Sequence, residues 1–320
     1  LIGSGLSTDR CDDMLVAFSW CLAQHDRDPE RFGIHLLLWE FRWVVSSLPT
    51  FPEVSLEKIE EMKAEMARRY QMFGASPRSF ALMCRKMAVD MGDREAADRM
   101  NDWLRRCPQD VLSDGAETER GFELTYRLFR GEYARTIKVA TPFLDRTIRS
   151  DHFEGQACAD VLFPFLRARR PAEAMPYHRR GYRLRAASVR HLDSIGKHLA
   201  FLALTDNTTK ALRLLEKHLP EALAATNSFT RLKFLLEIPV IFDRLAAGGS
   251  DSVKVRLPPT VPLNRVKDRY SVGELRDWLS GLAAELATAF DRRNGNSYYT
   301  TRLADLPKLQ RWARPCPLSG

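Results

Sequence analysis

Catalytic signatures are missing from this sequence. It has no G-x-S-x-G elbow, no Walker loop, no Rossmann glycine fingerprint and no H-E-x-x-H pair, so the chain reads as a non-enzyme. Cysteine is sparse and unpatterned. The six residues at 11, 21, 84, 107, 158 and 316 form no C-x-x-C pair, which argues against a disulfide framework and for a reducing, cytoplasmic setting. Single cysteines on apolar helix faces are expected to act as small buried hydrophobes. Metal ligation lacks support: Cys21 and His25 share a helical spacing, but the sequence nominates no further ligands. No metal and no cofactor are expected. Long apolar runs are also missing. The stretch Ile34–Trp39 is broken by Glu40 and Arg42, and nothing approaches the twenty or so residues that span a bilayer, so no membrane partner is expected. Lysine is scarce. It supplies 11 of 49 basic residues, leaving 38 arginines and a net charge of +8, a balance that favours anionic partners and planar recognition of carboxylate or phosphate.

What is present is a repeated turn. An apolar helix-length stretch, a polar turn and a second helix opening on a small residue recur at Met91-Gly92-Asp93-Arg94-Glu95-Ala96 and at Arg130-Gly131-Glu132-Tyr133-Ala134-Arg135-Thr136. They return at Arg170-Pro171-Ala172-Glu173-Ala174 and at Thr205-Asp206-Asn207-Thr208-Thr209-Lys210-Ala211. The small residues at 96, 136, 174 and 211 lie 40, 38 and 37 apart. A period in this range predicts stacked helical hairpins, each needing a neighbour to bury its apolar face.

The spacing predicts hairpins pairing 77–91 with 93–106, 117–130 with 132–146, 156–169 with 172–185, and 190–204 with 208–218. Three helices precede them. Asp28-Pro29 is expected to open the second of these, with Phe32, His35, Leu36, Trp39 and Trp43 on one face. Leu56, Ile59, Met62, Met66 and Tyr70 mark the third. After Gly248-Gly249-Ser250, the alternation Val253-Lys254-Val255-Arg256-Leu257 predicts extended chain. Ser271-x-x-Glu274 then forms a capping box before a long helix ending at Asn294-Gly295. The expected fold is an all-α, right-handed helical-hairpin solenoid. A helical cap would occupy 1–74, four hairpins 75–224, and a C-terminal cap 225–320 with an extended segment at 248–270.

The turn-plus-small-residue pattern, with Pro108 twelve residues after Ala96, resembles the tetratricopeptide repeat (TPR). It departs from that family in its longer period and in the large residues Cys84, Leu124, Leu162 and Leu199 at the close-packing position. Trp39-Glu40-Phe41-Arg42-Trp43, His178-Arg179-Arg180-Gly181-Tyr182-Arg183-Leu184 and Phe290-Asp291-Arg292-Arg293-Asn294-Gly295 are among the strings that resemble an uncharacterised group of bacterial TPR-containing proteins. That resemblance implies no activity.

In TPR-like stacks the first helix of each hairpin lines a concave groove. The resemblance places Leu82, Arg85, Phe122, Thr125, Asp160, Phe163 and Lys197 there, with Arg78 one turn earlier. Basic ends and an aromatic middle would suit an extended peptide bearing a carboxylate. A second candidate is the run Arg167, Arg169, Arg170, Arg179, Arg180, Arg183, Arg185 and Arg190, interleaved with Tyr177 and Tyr182. It reads either as a phosphate-tracking stripe or as a solvated face whose arginine stems cover apolar surface. The expected function is a non-enzymatic adaptor that holds a protein or peptide, possessing an acidic character, in the groove. Nucleic-acid binding through the arginine run is one alternative, and a peptide- or metabolite-sensing regulator is another.

Overall fold

Left-handed turns set the helix pairs apart. In the computed structural model, which describes residues 11–31, 33–263 and 269–318, the protein is all-helical apart from one two-stranded ribbon. Four residues with positive φ, Gly92, Gly131, Arg169 and Asp206, recur at steps of 39, 38 and 37. Each closes a helix with the same bond, in which the next residue's N–H reaches five back: Asp93 to Ala88 O, Glu132 to Arg127 O, Arg170 to Phe165 O and Asn207 to Leu202 O, at 2.8–3.0 Å. This Schellman closure satisfies carbonyls that the helix end leaves free.

The helices flanking those turns are α4 (Arg78–Met91) with α5 (Arg94–Leu104), and α6 (Ala116–Phe129) with α7 (Tyr133–Leu144). Then come α8 and α9 (Asp151–Asp160, Leu162–Arg167) with α10 (Pro171–Arg185), and α11 (Leu192–Leu204) with α12 (Thr208–Ala224). The third hairpin's first helix is broken at Val161. Pro164 explains the break: it has no N–H to offer Asp160 O, and its ring crowds that carbonyl.

Five residues after each left-handed turn sits a small, buried side chain: Ala97, Thr136, Ala174 and Ala211, all fully enclosed. The first repeat therefore runs one residue later than the sequence pattern suggested, since Ala96 is only half-buried.

Two compact units divide the chain: residues Leu1–Phe122 with Arg292–Asn296, and Glu123–Asp291 with Ser297–Gly320. The first contains α1 (Cys11–Arg27), α2 (Ile34–Ser47), α3 (Leu56–Met72) and the first hairpin. Its core joins Phe18, Leu38, Phe41, Val44, Ile59, Met66 and Met87, each burial stabilising by about 1.5–3 kcal/mol. The expected start of α2 at Pro29 is corrected. Asp28 Oδ1 accepts the Arg31 N–H at 3.2 Å, making a turn, and the helix begins only after Gly33. Phe32 lies outside the described residues. Of its predicted face, His35, Leu36 and Trp39 are exposed, and Leu38, Phe41, Val44 and Val45 form the buried side. Ser55 caps α3, accepting the Lys58 N–H at 3.1 Å.

The buried Arg42–Asp114 pair, at 2.8 Å, stitches α2 to the loop before α6. The Arg42 guanidinium also stacks 3.4 Å from the Trp39 ring centre. Burial drives Asp114 up to about 6 against the attraction of Arg42.

The second unit holds the last hairpins, α13 (Ser228–Leu235), α14 (Pro239–Ala247), α15 (Val272–Asn294, up to Asp291) and α16 (Tyr298–Ala304). Strands Ser252–Lys254 and Arg269–Ser271 pair antiparallel, Val253 opposite Tyr270. The alternation read from the sequence holds: Val253, Val255 and Leu257 are buried, and Lys254 and Arg256 are exposed. Ser271 Oγ accepts the Glu274 N–H at 3.3 Å, capping α15.

Candidate functional site

The groove positions separate between the two units, Arg78, Leu82, Arg85 and Phe122 in the first and Thr125, Asp160, Phe163 and Lys197 in the second. Several do not present a surface. Leu82, Arg85 and Asp160 are enclosed. Shifting the first repeat by one residue accounts for Arg85, which then falls in the column occupied by Leu124, Leu162 and Leu199, all fully buried. Its Nη1 donates to Asn101 Oδ1 at 3.0 Å. Arg78 grips Glu119 through two bonds of 2.6 and 2.7 Å and donates to Cys107 O. Phe122 packs on Trp43, and Phe163 lies between Tyr133 and Trp312. In the second unit a polar chain links the remaining positions. Gln156 Nε2 donates to Thr125 Oγ1 at 2.7 Å and to Asp160 Oδ2 at 3.4 Å, and Asp160 accepts from Lys197 Nζ at 2.5 Å.

The eight arginines have different surroundings. Arg167 stacks between Tyr133 and Trp312, at 4.4 and 4.7 Å. Arg170 pairs with Glu173, and Arg180 donates to Leu144 O at 2.6 Å and pairs with Glu154. Arg169 supplies a left-handed turn, while Arg179 and Arg183 are exposed. Arg185 and Arg190 differ from the rest. They converge on a cavity of about 150 Å³ in the second unit.

Arg185, the last residue of α10, is only 3% exposed. Its Nη1 donates to the His191 ring at 2.9–3.0 Å, and its Nη2 donates to His152 O. Nε has no partner. Among the described residues no carboxylate lies within ion-pairing distance of it; Asp193 and Asp160 act only through space, and burial holds its pKa below the usual arginine range. The backbone makes room for it. A Cβ on residue 155 would lie 2.5 Å from Arg185 Nε, so the Arg185 side chain passes close over Gly155.

Three helix starts meet the same cavity. His152 lies in the first turn of α8, Asp193 and Ser194 in that of α11, and Phe229 and Thr230 in that of α13. Helix N-termini carry partial positive charge and favour anions. Lys233 completes the lining, its Nζ 4.4 Å from the Phe229 ring centre. Burial, together with Arg185, pushes His191 down to about 4 and lowers His152. His191 therefore accepts rather than repels the guanidinium. Asp193 is held below the usual carboxylate range although burial opposes it, chiefly by Lys233 and Lys197.

The chain matches no family model, no curated protein and no solved structure.

Elsewhere in the second unit, His178 Nδ1 and His198 Nδ1 lie 3.1 Å apart in the core, and Tyr182 Oη lies 2.8 Å from His218 Nε2. Among the described residues no three His, Cys, Asp or Glu side chains are grouped to hold a metal ion. Cys84, Cys107 and Cys158 are buried, as expected of small hydrophobes, and burial pushes the Cys84 thiol up to about 12. No helix among the described residues is long and apolar enough to cross a membrane.

Sequence reasoning named Arg185 and Arg190 but missed His152, Ser194, Thr230 and Lys233. Each is unremarkable alone. Only three helix starts, far apart in sequence, bring them together.

Proposed function

We propose that the protein is a non-enzymatic, TPR-like binding protein that holds a protein or peptide partner through an acidic group seated in the cavity at Arg185. The observation that carries this reading is a buried guanidinium with no ion-paired carboxylate, lining a cavity that also holds Arg190 and Lys233. A buried charge without a counter-ion is costly, and an incoming anion removes that cost. The TPR-like part draws on the four left-handed turns at steps of 39, 38 and 37, each followed five residues later by a buried small side chain. Nucleic-acid binding by the arginine run draws less support, because Arg167, Arg170 and Arg180 are engaged within the protein.

A peptide array tests the proposal, read with the wild-type chain and with Lys233→Glu after circular dichroism has shown equal helicity. The binders should be enriched in Asp and Glu. Lys233→Glu should weaken them about tenfold or more, since a charge-assisted hydrogen bond contributes about 1.5–3 kcal/mol. Binders without acidic enrichment, or binding indifferent to the substitution, would sink the reading.

A further inference from the structure

We propose that the edge of the second unit at the turn between α11 and α12 reads the backbone of an extended peptide, and that residues 312–318 occupy it as an internal ligand which a partner's segment of the same chemistry displaces. The surface lies outside the cavity at Arg185, and the inference does not rest on that cavity. After the 3-10 turn Leu306–Trp312, the chain leaves helix with Ala313 in the polyproline II region, at φ −57° and ψ 132°. It then runs past the end of α11. Arg314 N–H donates to Leu204 O at 2.8 Å and Cys316 N–H to Thr205 O at 3.1 Å. These are carbonyls of the kind that a helix end leaves free. The Asn207 amide continues the series: its Nδ2 donates to Cys316 O at 3.0 Å, and its Oδ1 accepts the Leu318 N–H at 2.9 Å. Donors thus fall at 314, 316 and 318, the period of a strand. The two residues between them, Pro315 and Pro317, are exposed and have no N–H to give.

One ring fixes the register. Trp312 stands edge-on to Phe163, ring centres 5.1 Å apart, with the Arg167 guanidinium 4.7 Å from its centre. Ala313, Cys316 and Leu318 lie against the core of the second unit. Peptide-binding proteins add an extended ligand in this way: main-chain bonds supply affinity and side-chain pockets supply selectivity. The hold is shallow. No residue from 307 to 318 is buried. Gln310, at the root of the segment, has no hydrogen-bond partner among the described residues for either Nε2 or Oε1, although both atoms are shielded from water. A shielded amide left unbonded weakens the docked state. Segments with few buried contacts are also the ones that open well below the global unfolding free energy. The partner this surface fits carries a tryptophan followed by extended chain, with N–H groups free at the second, fourth and sixth residues after it and proline tolerated between them.

The probe is an amidated fluorescent peptide with the sequence of residues 309–318, titrated by anisotropy into the full chain. That sequence contains no Asp or Glu, so its binding does not report on the cavity at Arg185. In the wild type the attached segment competes at an effective concentration of about millimolar. Trp312→Ala, at a half-buried side chain, removes the anchor in cis and leaves the surface itself unchanged. This variant should bind the peptide at least tenfold more tightly than the wild type does. A peptide with Ala in place of its Trp, and one methylated on the amide nitrogens matching Arg314 and Cys316, should each lose at least tenfold. Equal or absent binding by the two chains, or binding indifferent to those changes in the peptide, overturns the proposal. Hydrogen exchange on the wild type gives a second reading should Trp312→Ala lose helicity. Peptide added above the effective concentration should speed exchange at the Arg314 and Cys316 amides and leave core amides unchanged. Unaltered protection at 314 and 316 overturns the proposal as well.

Discussion

Gly155 and Arg185 are fitted to each other: a Cβ at position 155 would stand 2.5 Å from Arg185 Nε and 3.1 Å from its Cδ. The absence of a side chain at Gly155 thus leaves room for the guanidinium beside α8. Gly155→Ala should move Arg185 or strain the helix, at about 1–3 kcal/mol for an overpacked interior. Loss of anion binding together with a lowered urea midpoint is the expected result. An alanine variant that binds and melts like the wild type would show that the side chain has other routes.

Arg85 is a second test, because its role depends on register. The groove reading places it at the ligand, whereas the structure encloses it and bonds it to Asn101. Arg85→Glu should therefore unfold or loosen the first unit, by roughly 3 kcal/mol or more for an uncompensated buried charge. Chemical denaturation followed by tryptophan fluorescence reads this out. A variant with normal stability and impaired peptide binding would restore the groove reading.

The Arg42–Asp114 pair should be equally unforgiving. With both side chains buried, Asp114→Asn leaves Arg42 without its counter-charge and should cost about 3–5 kcal/mol in a urea melt. Replacing both residues with apolar ones of similar size should cost less than the single change.

Acid should weaken the second unit. Burial, with Arg179 and Lys210, pushes His178 down to about 4, and burial, with His178, holds His198 well below the usual histidine range. An unfolded histidine titrates near 6.5, so the unfolded chain takes up protons first as the pH falls. Stability is fully present above about pH 7 and is lost between about 6.5 and 4, by at most roughly 3 kcal/mol for His178 alone. The lowered Asp193 acts in the same direction. Urea melts at pH 7 and pH 5 check this, and a flat response would contradict neutral core histidines.

The hairpins were legible because their punctuation is local. Gly92 and Gly131 are left-handed for a reason that belongs to glycine, and the helix ends follow from them. Arg169 and Asp206 make the same turn without glycine, so only the spacing exposed them. Ala96 and Ala97 are adjacent small residues, and composition does not say which one faces inward. That one-residue ambiguity displaced the whole first groove column. The start of α2 was misplaced because Asp28-Pro29 suits a turn as well as a helix cap. The cavity was half legible: an arginine-rich run drew notice to Arg185 and Arg190, but a buried cation looks like an exposed one in a sequence. His152, Ser194, Thr230 and Lys233 meet only through tertiary packing.

The most direct test of an anion-accepting Arg185 is its own Nε–H resonance. Nitrogen-15 spectra recorded while inorganic phosphate is added should show the Arg185 Nε signal moving along a saturable curve, with Arg190→Glu flattening it. A signal that stays put at saturating phosphate, while exposed arginines such as Arg179 and Arg183 shift only weakly and without saturation, would contradict the account.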